Sequence, residues 1–320
     1  MKFYTQIEPE PSGVPIDANA RITALGSCFA EVIGARLDYY KWPVLVNPLG
    51  VLFHPLALSD LVTRAMMLDE FTSSDLFEYN GIHYILSLHG KYSDKDPEQL
   101  LNLANRDLQA LHTSLTQSTH VLITLGTAWA YEHVESQRLV GNCHKLPGAF
   151  FKKKLLTADQ IQAAVTQINE LMARYNPKAQ MIFSVSPVRH IKDGLVQNSL
   201  GKAHLISGVH AALDEVEQNL TPSKYFPAYE LMVDQLRDYR FYKSDLIHPN
   251  DQGELVVWEF FKTQWLEAKL EAYLKEVHSI QQGLAHRPLR PDSQEHRAFL
   301  SQLKTRILSL EKQYPHLKFD

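Results

Sequence analysis

The stretch ITALGSCFAEVIGARL, residues 22–37, changes its apolar pattern at Gly26. The run that ends before this glycine, residues 21–25, is short and largely apolar, which is typical of a buried strand. After the glycine, apolar side chains recur at helical spacing: Phe29, Val32, Ile33, Leu37 and Tyr40. The stretch therefore predicts a strand, a tight turn at Gly26 and a helix over residues 28–41.

The same order of elements returns in the middle of the chain. VLITLG, residues 121–126, is apolar throughout, as is a strand buried on both faces. Thr157 and Gln160 form a capping box for a helix, and MIFSVSP, residues 181–187, reads as the next strand. Strand, crossover helix and strand make a βαβ unit, which predicts a parallel sheet and an α/β fold.

Further helices are predicted from apolar periodicity along the rest of the chain. They cover residues 97–116, 203–219, 227–239, 252–278 and 294–313. A Pro- and Arg-containing linker at 286–291 precedes the last of them. We therefore expect one α/β domain over residues 1–278 and a linker with a helical extension over residues 279–320.

The composition excludes several classes of protein. The formal net charge is −4, without the basic excess that usually accompanies nucleic-acid or anionic-membrane binding. No apolar run approaches the roughly 18 residues of a membrane span. Two cysteines, Cys28 and Cys143, are too few for a disulfide framework, and the N-terminus lacks a signal-peptide core. We expect a reduced cytoplasmic protein with no cofactor; the oligomeric state is not predicted.

Three polar segments follow predicted strands. They are Gly26-Ser27, Gly126-Thr127 and the segment 186–190, SPVRH. In open parallel sheets, ligands bind beyond the carboxyl ends of the strands. The three segments therefore predict one site at one edge of the sheet.

Ser27 and Cys28 are two adjacent candidate nucleophiles at a helix N-terminus, where unpaired N–H groups favour negative charge. Ser27 is also a good N-cap residue without any catalytic role. Cys28 is equally well explained as a packing residue, because free cysteines are among the most buried residues. The residues alone leave these alternatives open.

A second candidate group is Asp245 and His248, three residues apart in a loop before a predicted helix. A carboxylate at this spacing can hold the imidazole Nδ1–H while Nε2 faces a hydroxyl group. Taken alone, an Asp-x-x-His match is a weak signal. Together with a serine at a strand end in an α/β chain, it predicts nucleophilic catalysis.

Several motifs, in this order, resemble the GSCFA domain family of the SGNH hydrolase-like superfamily: LGSCFAE, NPLG, TLGTAWAYE, VGNCHKLP, SVSPVRH and SDLIHPN. The resemblance implies a three-layer α/β/α, flavodoxin-like fold and ester hydrolysis. It implies that Ser27 is the nucleophile, that Asp245 and His248 complete a triad, and that Gly50 donates an N–H to the oxyanion.

One block departs from the superfamily pattern. A Gly-x-Asn, whose amide donates to the oxyanion, is replaced by Gly126-Thr127-Ala128. Thr127 has a hydroxyl donor, and Asn142 could supply an amide from the segment 127–156, so we favour Asn142. One missing donor can cost about 10²–10³-fold in rate.

Other side chains are candidates for substrate binding. Arg189 could bind a carboxylate or phosphate of the substrate or pair with Asp193, and His190 and His144 are further candidates. Cys143 and His144 lack the spacing of a metal site, and no metal is predicted.

We therefore expect a serine esterase acting on a small-molecule or glycan ester, such as an O-acyl group. The alternatives are an acyltransferase with the same triad and a catalytically weak binding module.

Overall fold

The computed structural model describes residues 5–11, 13–216, 222–315 and 317–319. The elements follow the chain as β1 (Ile22–Gly26), α1 (Cys28–Tyr39), β2 (Val44–Val46), α2 (Pro55–Met67), β3 (Leu76–Tyr79), β4 (Ile82–Ile85), β5 (Ser93–Asp94), α3 (Pro97–Gln117), β6 (His120–Leu125), β7 (Trp129–His133), β8 (Leu139–Val140), β9 (Phe151–Leu155), α4 (Ala158–Tyr175), β10 (Gln180–Val185), α5 (Leu195–Val216), β11 (Ser223–Phe226), α6 (Asp251–Trp265), α7 (Glu271–Ala285) and α8 (Gln294–Gln313). Across these ranges, every helix is too short or too polar to span a lipid bilayer.

The central sheet is parallel, as predicted. Within the described ranges it has five strands in the order β11-β10-β6-β1-β2. The register places Gly26 of β1 opposite Thr124 of β6, which in turn lies opposite Ser184 of β10. The carboxyl ends of β1, β6 and β10 therefore meet at one edge of the sheet, as expected from the three polar segments.

Alternate residues of the central strands enter two different apolar cores. In β6, Val121 and Ile123 belong to a core with α2, α3, α4 and α5, whereas Leu122 belongs to a core with α1, α6, α7 and α8. In β10, Phe183 and Ile182 divide in the same way. A parallel sheet covered by helices on both faces is consistent with the predicted three-layer α/β/α arrangement.

Two small antiparallel sheets lie between the main elements. One has the order β3-β4-β5 and the other the order β8-β7-β9. They contact each other through Gly141, whose N–H donates to the Leu86 carbonyl over 2.8 Å. The second sheet forms the excursion expected over residues 127–156.

The helix predicted over residues 252–278 is wrong, because the structure has two helices there. The break falls at residues 266–270, where the N-terminal segment crosses the chain. Ile16 N–H donates to the Trp265 carbonyl over 2.7 Å, and Glu267 N–H donates to the Ile16 carbonyl over 3.1 Å. These two hydrogen bonds use the Trp265 carbonyl and the Glu267 N–H, which would pair within the helix if it were continuous.

Two more helix boundaries differ from the predictions. α5 begins at Leu195, eight residues before its predicted start at 203, and residues 217–219 of that prediction lie outside the described residues. Of the helix predicted over residues 227–239, residues 228–236 form an irregular helical segment, which ends at Arg237 with a φ of 44°. The helices at 97–116 and 294–313 are confirmed, and α7 crosses the predicted domain boundary at 278.

Candidate active site

The turn between β1 and α1 depends on Gly26. Its φ is 120°, a region that side chains other than glycine rarely adopt. A Cβ at this position would lie 2.1 Å from the Thr124 carbonyl oxygen. Ser27 N–H then donates to the same oxygen over 2.9 Å, which fixes the start of α1 against β6.

Ser27 is the N-cap of α1, as its second, non-catalytic alternative predicts. Its Oγ accepts from Phe29 N–H over 3.3 Å, and its side chain is buried, with the residue 1% exposed. No hydrogen bond links Ser27 Oγ to His248 in the part of the chain that the structure describes. The predicted nucleophile therefore lies at the sheet edge but is covered.

Asp245 and His248 form the predicted pair. His248 Nδ1 lies 2.8 Å from Asp245 Oδ2, and Asp245 Oδ1 accepts from the N–H groups of Ile247 and His248. Donation from the backbone N–H of His248 and then of Ile247 lowers the pKa of Asp245 to about 2. The carboxylate stays ionised at neutral pH and fixes the imidazole, which leaves Nε2 available for proton transfer.

His248 lines a groove of about 530 Å³ at the N-terminus of α1. Cys28 and Glu31 of α1 also line this groove, as does Val188, which follows β10. Cys28 is half-buried, and its thiol has a raised pKa because of burial and then of Glu31. His248 and Cys28 therefore line the same groove, whereas Ser27 is not among its lining residues.

Lys202 is a residue of this site that sequence reasoning missed. It lies on α5, is 1% exposed, and its Nζ donates to the carbonyl oxygens of Gly126 and Ser186 over 2.6 Å each. Burial lowers the pKa of Lys202 to about 7, and the charge of Cys28 acts in the opposite direction. The sequence did contain a signal for this burial. Lys202 lies three residues before the buried Leu205 and therefore on the same face of the helix.

The predicted oxyanion donors make other contacts in this structure. Gly50 N–H donates to the Asn47 carbonyl over 2.7 Å, and Thr127 Oγ1 accepts from Trp129 N–H over 3.0 Å. Asn142 Oδ1 accepts from His144 N–H over 2.7 Å, and the amide N–H₂ of Asn142 takes no part in this hydrogen bond. These contacts do not test whether the three residues donate to an oxyanion.

Asn47 is a further amide beside the turn. Its Oδ1 accepts from Gly26 N–H over 2.8 Å, and the residue is 7% exposed. Its Nδ2 is buried and has no hydrogen-bond partner among the residues described. A buried donor without a partner costs free energy, which makes Asn47 a candidate donor to a bound oxyanion.

Arg189 contacts two tyrosines. Its guanidinium lies 5.3 Å from the ring centre of Tyr239 and 4.8 Å from that of Tyr242, with hydrogen bonds to both hydroxyl groups. The side chain of Asp193, its other predicted partner, lies outside the described part of the structure. Arg189 is thus held at the edge of the site by aromatic contacts.

The two candidate histidines for substrate binding are packed into the structure. The His190 ring lies 5.2 Å from that of Phe53, edge to face. His144 Nε2 lies 3.1 Å from the Ile85 carbonyl oxygen, and burial lowers the pKa of His144. His144 therefore connects the loop after β8 to the end of β4.

The cysteines do not form a metal cluster. Among the residues placed by the structure, no group of three or more histidine, cysteine or acidic side chains could hold a metal ion. Cys143 is half-buried, and burial raises the pKa of its thiol to about 11.

The fold and this site define a mixed α/β protein with a carboxylate–histidine pair at the carboxyl edge of a parallel sheet. Residues 21–261 match the GSCFA family, and residues 277–320 match the GSCFA domain protein, C-terminal domain. The chain belongs to the GSCFA family. No curated protein matches the chain at a significant level.

Proposed function

We propose that this protein is an SGNH-type hydrolase that cleaves an ester through an acyl-enzyme. The observation that carries the proposal is the Asp245–His248 pair, with 2.8 Å between Oδ2 and Nδ1 and with His248 lining the groove at the start of α1. An imidazole oriented in this way is the general base that activates nucleophiles in acyl transfer.

The acyl group would be carried by the turn at Ser27 and Cys28. Ser27 is the nucleophile implied by the resemblance, and Cys28 is the second candidate because it lines the same groove as His248. His248 would take the proton of the attacking nucleophile and give it to the leaving alcohol, and would then take a proton from the incoming water and return it to the nucleophile, while Asp245 stabilises the imidazolium. Water would then release the acid from the nucleophile.

The oxyanion would need donors that the resting protein leaves free. The N–H groups of Ser27 and Gly50 are already bound to carbonyl oxygens, whereas Asn47 Nδ2 is unpartnered within the described ranges. We therefore propose Asn47 as a donor, together with Asn142 and Thr127, whereas Gly50 would first have to release the Asn47 carbonyl. Preorganised amide donors in a water-poor site stabilise the charge that develops on the carbonyl oxygen.

The substrate class is a small-molecule or glycan ester, and 4-nitrophenyl acetate is a suitable first probe. We expect native protein to release nitrophenolate and to carry an acetyl adduct on residue 27 or 28, detected by intact mass and peptide mapping. We expect His248→Ala to reduce turnover by about 10²–10⁴-fold, because the general base is lost. His83→Ala, in the separate sheet that contains β4, is the matched control and should keep native turnover.

Two results would contradict the proposal. One is folded native protein that neither releases nitrophenolate above the solvent rate nor forms an adduct, which would favour a binding module. The other is turnover that His248→Ala leaves unchanged.

A further inference from the structure

We propose that the groove beside α1 binds an ester that carries a carboxylate about ten bonds from the ester carbonyl, and that Arg36 pairs with this carboxylate. The inference names the substrate class of the proposed hydrolase and, for turnover, rests on the proposed function. Binding of the carboxylate can be tested without turnover.

The groove follows α1 along its whole length. Cys28, the first residue of the helix, and Tyr39, the last, both line it, and so do Val32 and Ala35 on the same helical face. At about 1.5 Å of rise per residue, the lined part of the helix is roughly 16 Å long. The volume of about 530 Å³ is typical of a site for a small ligand. The groove therefore has room for a substrate that extends well beyond its ester group.

Arg36 is a cationic residue of this groove whose side chain the protein does not bind. It is half-buried on α1 and lines the groove. Within the described ranges, its guanidinium makes no hydrogen bond and no ion pair. A carboxylate fits the planar donors of a guanidinium in a bidentate pair, and partial burial strengthens such a pair. Arg36 therefore favours a ligand that brings a carboxylate.

The other charged side chains of the groove determine where this carboxylate can bind. Lys243 Nζ lies 3.7 Å from Glu254 Oε1, so these two charges largely offset each other. Glu31 lies three residues after Cys28 and disfavours a second negative charge near the start of the helix. Arg36 lies eight residues after Cys28, which is about 12 Å along the helix axis. The anionic end of the substrate is therefore expected away from the turn at the start of α1.

These positions define the class of substrate. The formal charges of the four charged residues that line the groove, among those described, cancel, which favours a singly charged carboxylate over a dianionic phosphate. Three bonds of an extended chain span at most about 3.6 Å, so roughly ten bonds cover the 12 Å between the two ends. The substrate is therefore a long ester with a terminal carboxylate.

Two 4-nitrophenyl half-esters test the acyl side, one of decanedioic acid and one of hexanedioic acid. Each is compared with the ester whose free carboxylate is replaced by a primary amide, and the preference is the ratio of their kcat/KM values. We expect native protein to prefer the decanedioate about tenfold or more, because only this chain reaches Arg36 fully. Arg36→Met should lower this ratio to about one. The acetate ester of 10-hydroxydecanoic acid and its primary amide test the alcohol side in the same way.

A ligand that cannot be hydrolysed separates this site from the hydrolase. The monomethylamide of decanedioic acid keeps the carboxylate and has an amide in place of the ester. Titration calorimetry should show that it binds native protein about tenfold or more tightly than Arg36→Met. Arg174→Met is the matched control, because Arg174 is also in the last turn of its helix but lies outside the groove, and it should keep the native affinity.

The outcomes distinguish the two proposals. Binding that depends on Arg36, without turnover of any ester, would defeat the hydrolase and keep the carboxylate site. Turnover at equal rates for acids and amides, on both the acyl and the alcohol side, would defeat the carboxylate site and keep the hydrolase. Binding of the monomethylamide that Arg36→Met leaves unchanged would also overturn the carboxylate site.

Discussion

At the scale of single residues, the site is built on one glycine. Gly26 combines a positive φ with a position where any side chain would meet the backbone of β6. The effect of the positive φ can be separated from that of the close contact, because other glycines of the chain lack the contact. Gly81 has a φ of 73° but no atom within 4 Å of an added Cβ, and Gly148 has neither restriction.

We expect Gly26→Ala to lower the free energy of unfolding by more than about 3 kcal/mol, since left-handed strain and a backbone clash add together. Gly81→Ala should cost about 1 kcal/mol for the strain alone, and Gly148→Ala less than about 0.5 kcal/mol. Urea unfolding followed by circular dichroism measures all three. Equal losses for Gly26→Ala and Gly81→Ala would show that the contact with Thr124 is relieved cheaply.

Residues whose role depends on local sequence could be predicted, and those positioned by distant contacts could not. Asp245 and His248 lie three residues apart, so their hydrogen bond follows from the loop itself. Ser27 was placed correctly at the sheet edge, but its burial depends on the packing around the turn. Lys202 enters the site because α5 packs across the ends of β6 and β10. The spacing of residues along the chain does not indicate this packing.

At the scale of elements, Lys202 connects α5 to the two central strands, and this connection depends on pH. The ordinary pKa of a lysine is 10.5, whereas burial lowers that of Lys202 to about 7. Between these values the unfolded chain binds a proton that the folded protein does not. Stability therefore rises with pH over this window, and the full cost of the buried charge is present below about pH 7.

We expect the free energy of unfolding of native protein, relative to that of Lys202→Met, to increase by about 1.4 kcal/mol per unit between pH 7 and pH 9. At high pH, where the unfolded chain has also lost the lysine proton, Lys202→Met should be the less stable protein, because the carbonyl oxygens of Gly126 and Ser186 lose their donor. Urea unfolding at several pH values gives the slope, with Lys192→Met expected to keep the native one. A difference that does not change with pH would mean that Lys202 remains charged in the folded state.

The elements themselves were predictable where periodicity and caps agree. The capping box of Thr157 and Gln160 is present at the start of α4, and the apolar run of β6 is buried on both faces. The division between α6 and α7 was not predictable, because it depends on hydrogen bonds from Ile16, about 250 residues away in the chain. Apolar periodicity continues across such a break without a visible change.

At the scale of the whole molecule, the C-terminal helices support the helix that carries the site. Tyr273 of α7 donates its hydroxyl to the Tyr40 carbonyl over 2.7 Å, and Gln281 donates to the Tyr39 carbonyl over 2.9 Å. α8 is fixed to α7 by Arg306, which binds the Glu276 carboxylate with both Nε and an Nη. The end of α1 is therefore anchored to α7, while Ser27 and Cys28 lie at its beginning.

Leu303 of α8 belongs to the same apolar core as Phe29 and Ile33 of α1, so we expect the C-terminal helices and the α/β region to unfold together. Leu303→Ala should lower the stability of the whole protein by about 2–4 kcal/mol, because a side chain that is 3% exposed leaves a cavity. Leu300→Ala, on the same helix but 46% exposed, is the matched control and should cost much less. Tryptophan fluorescence and circular dichroism should give one coincident urea transition, which Leu303→Ala shifts as a unit. Two transitions, with only the first moved by Leu303→Ala, would mean instead that the extension after residue 278 folds as a separate domain.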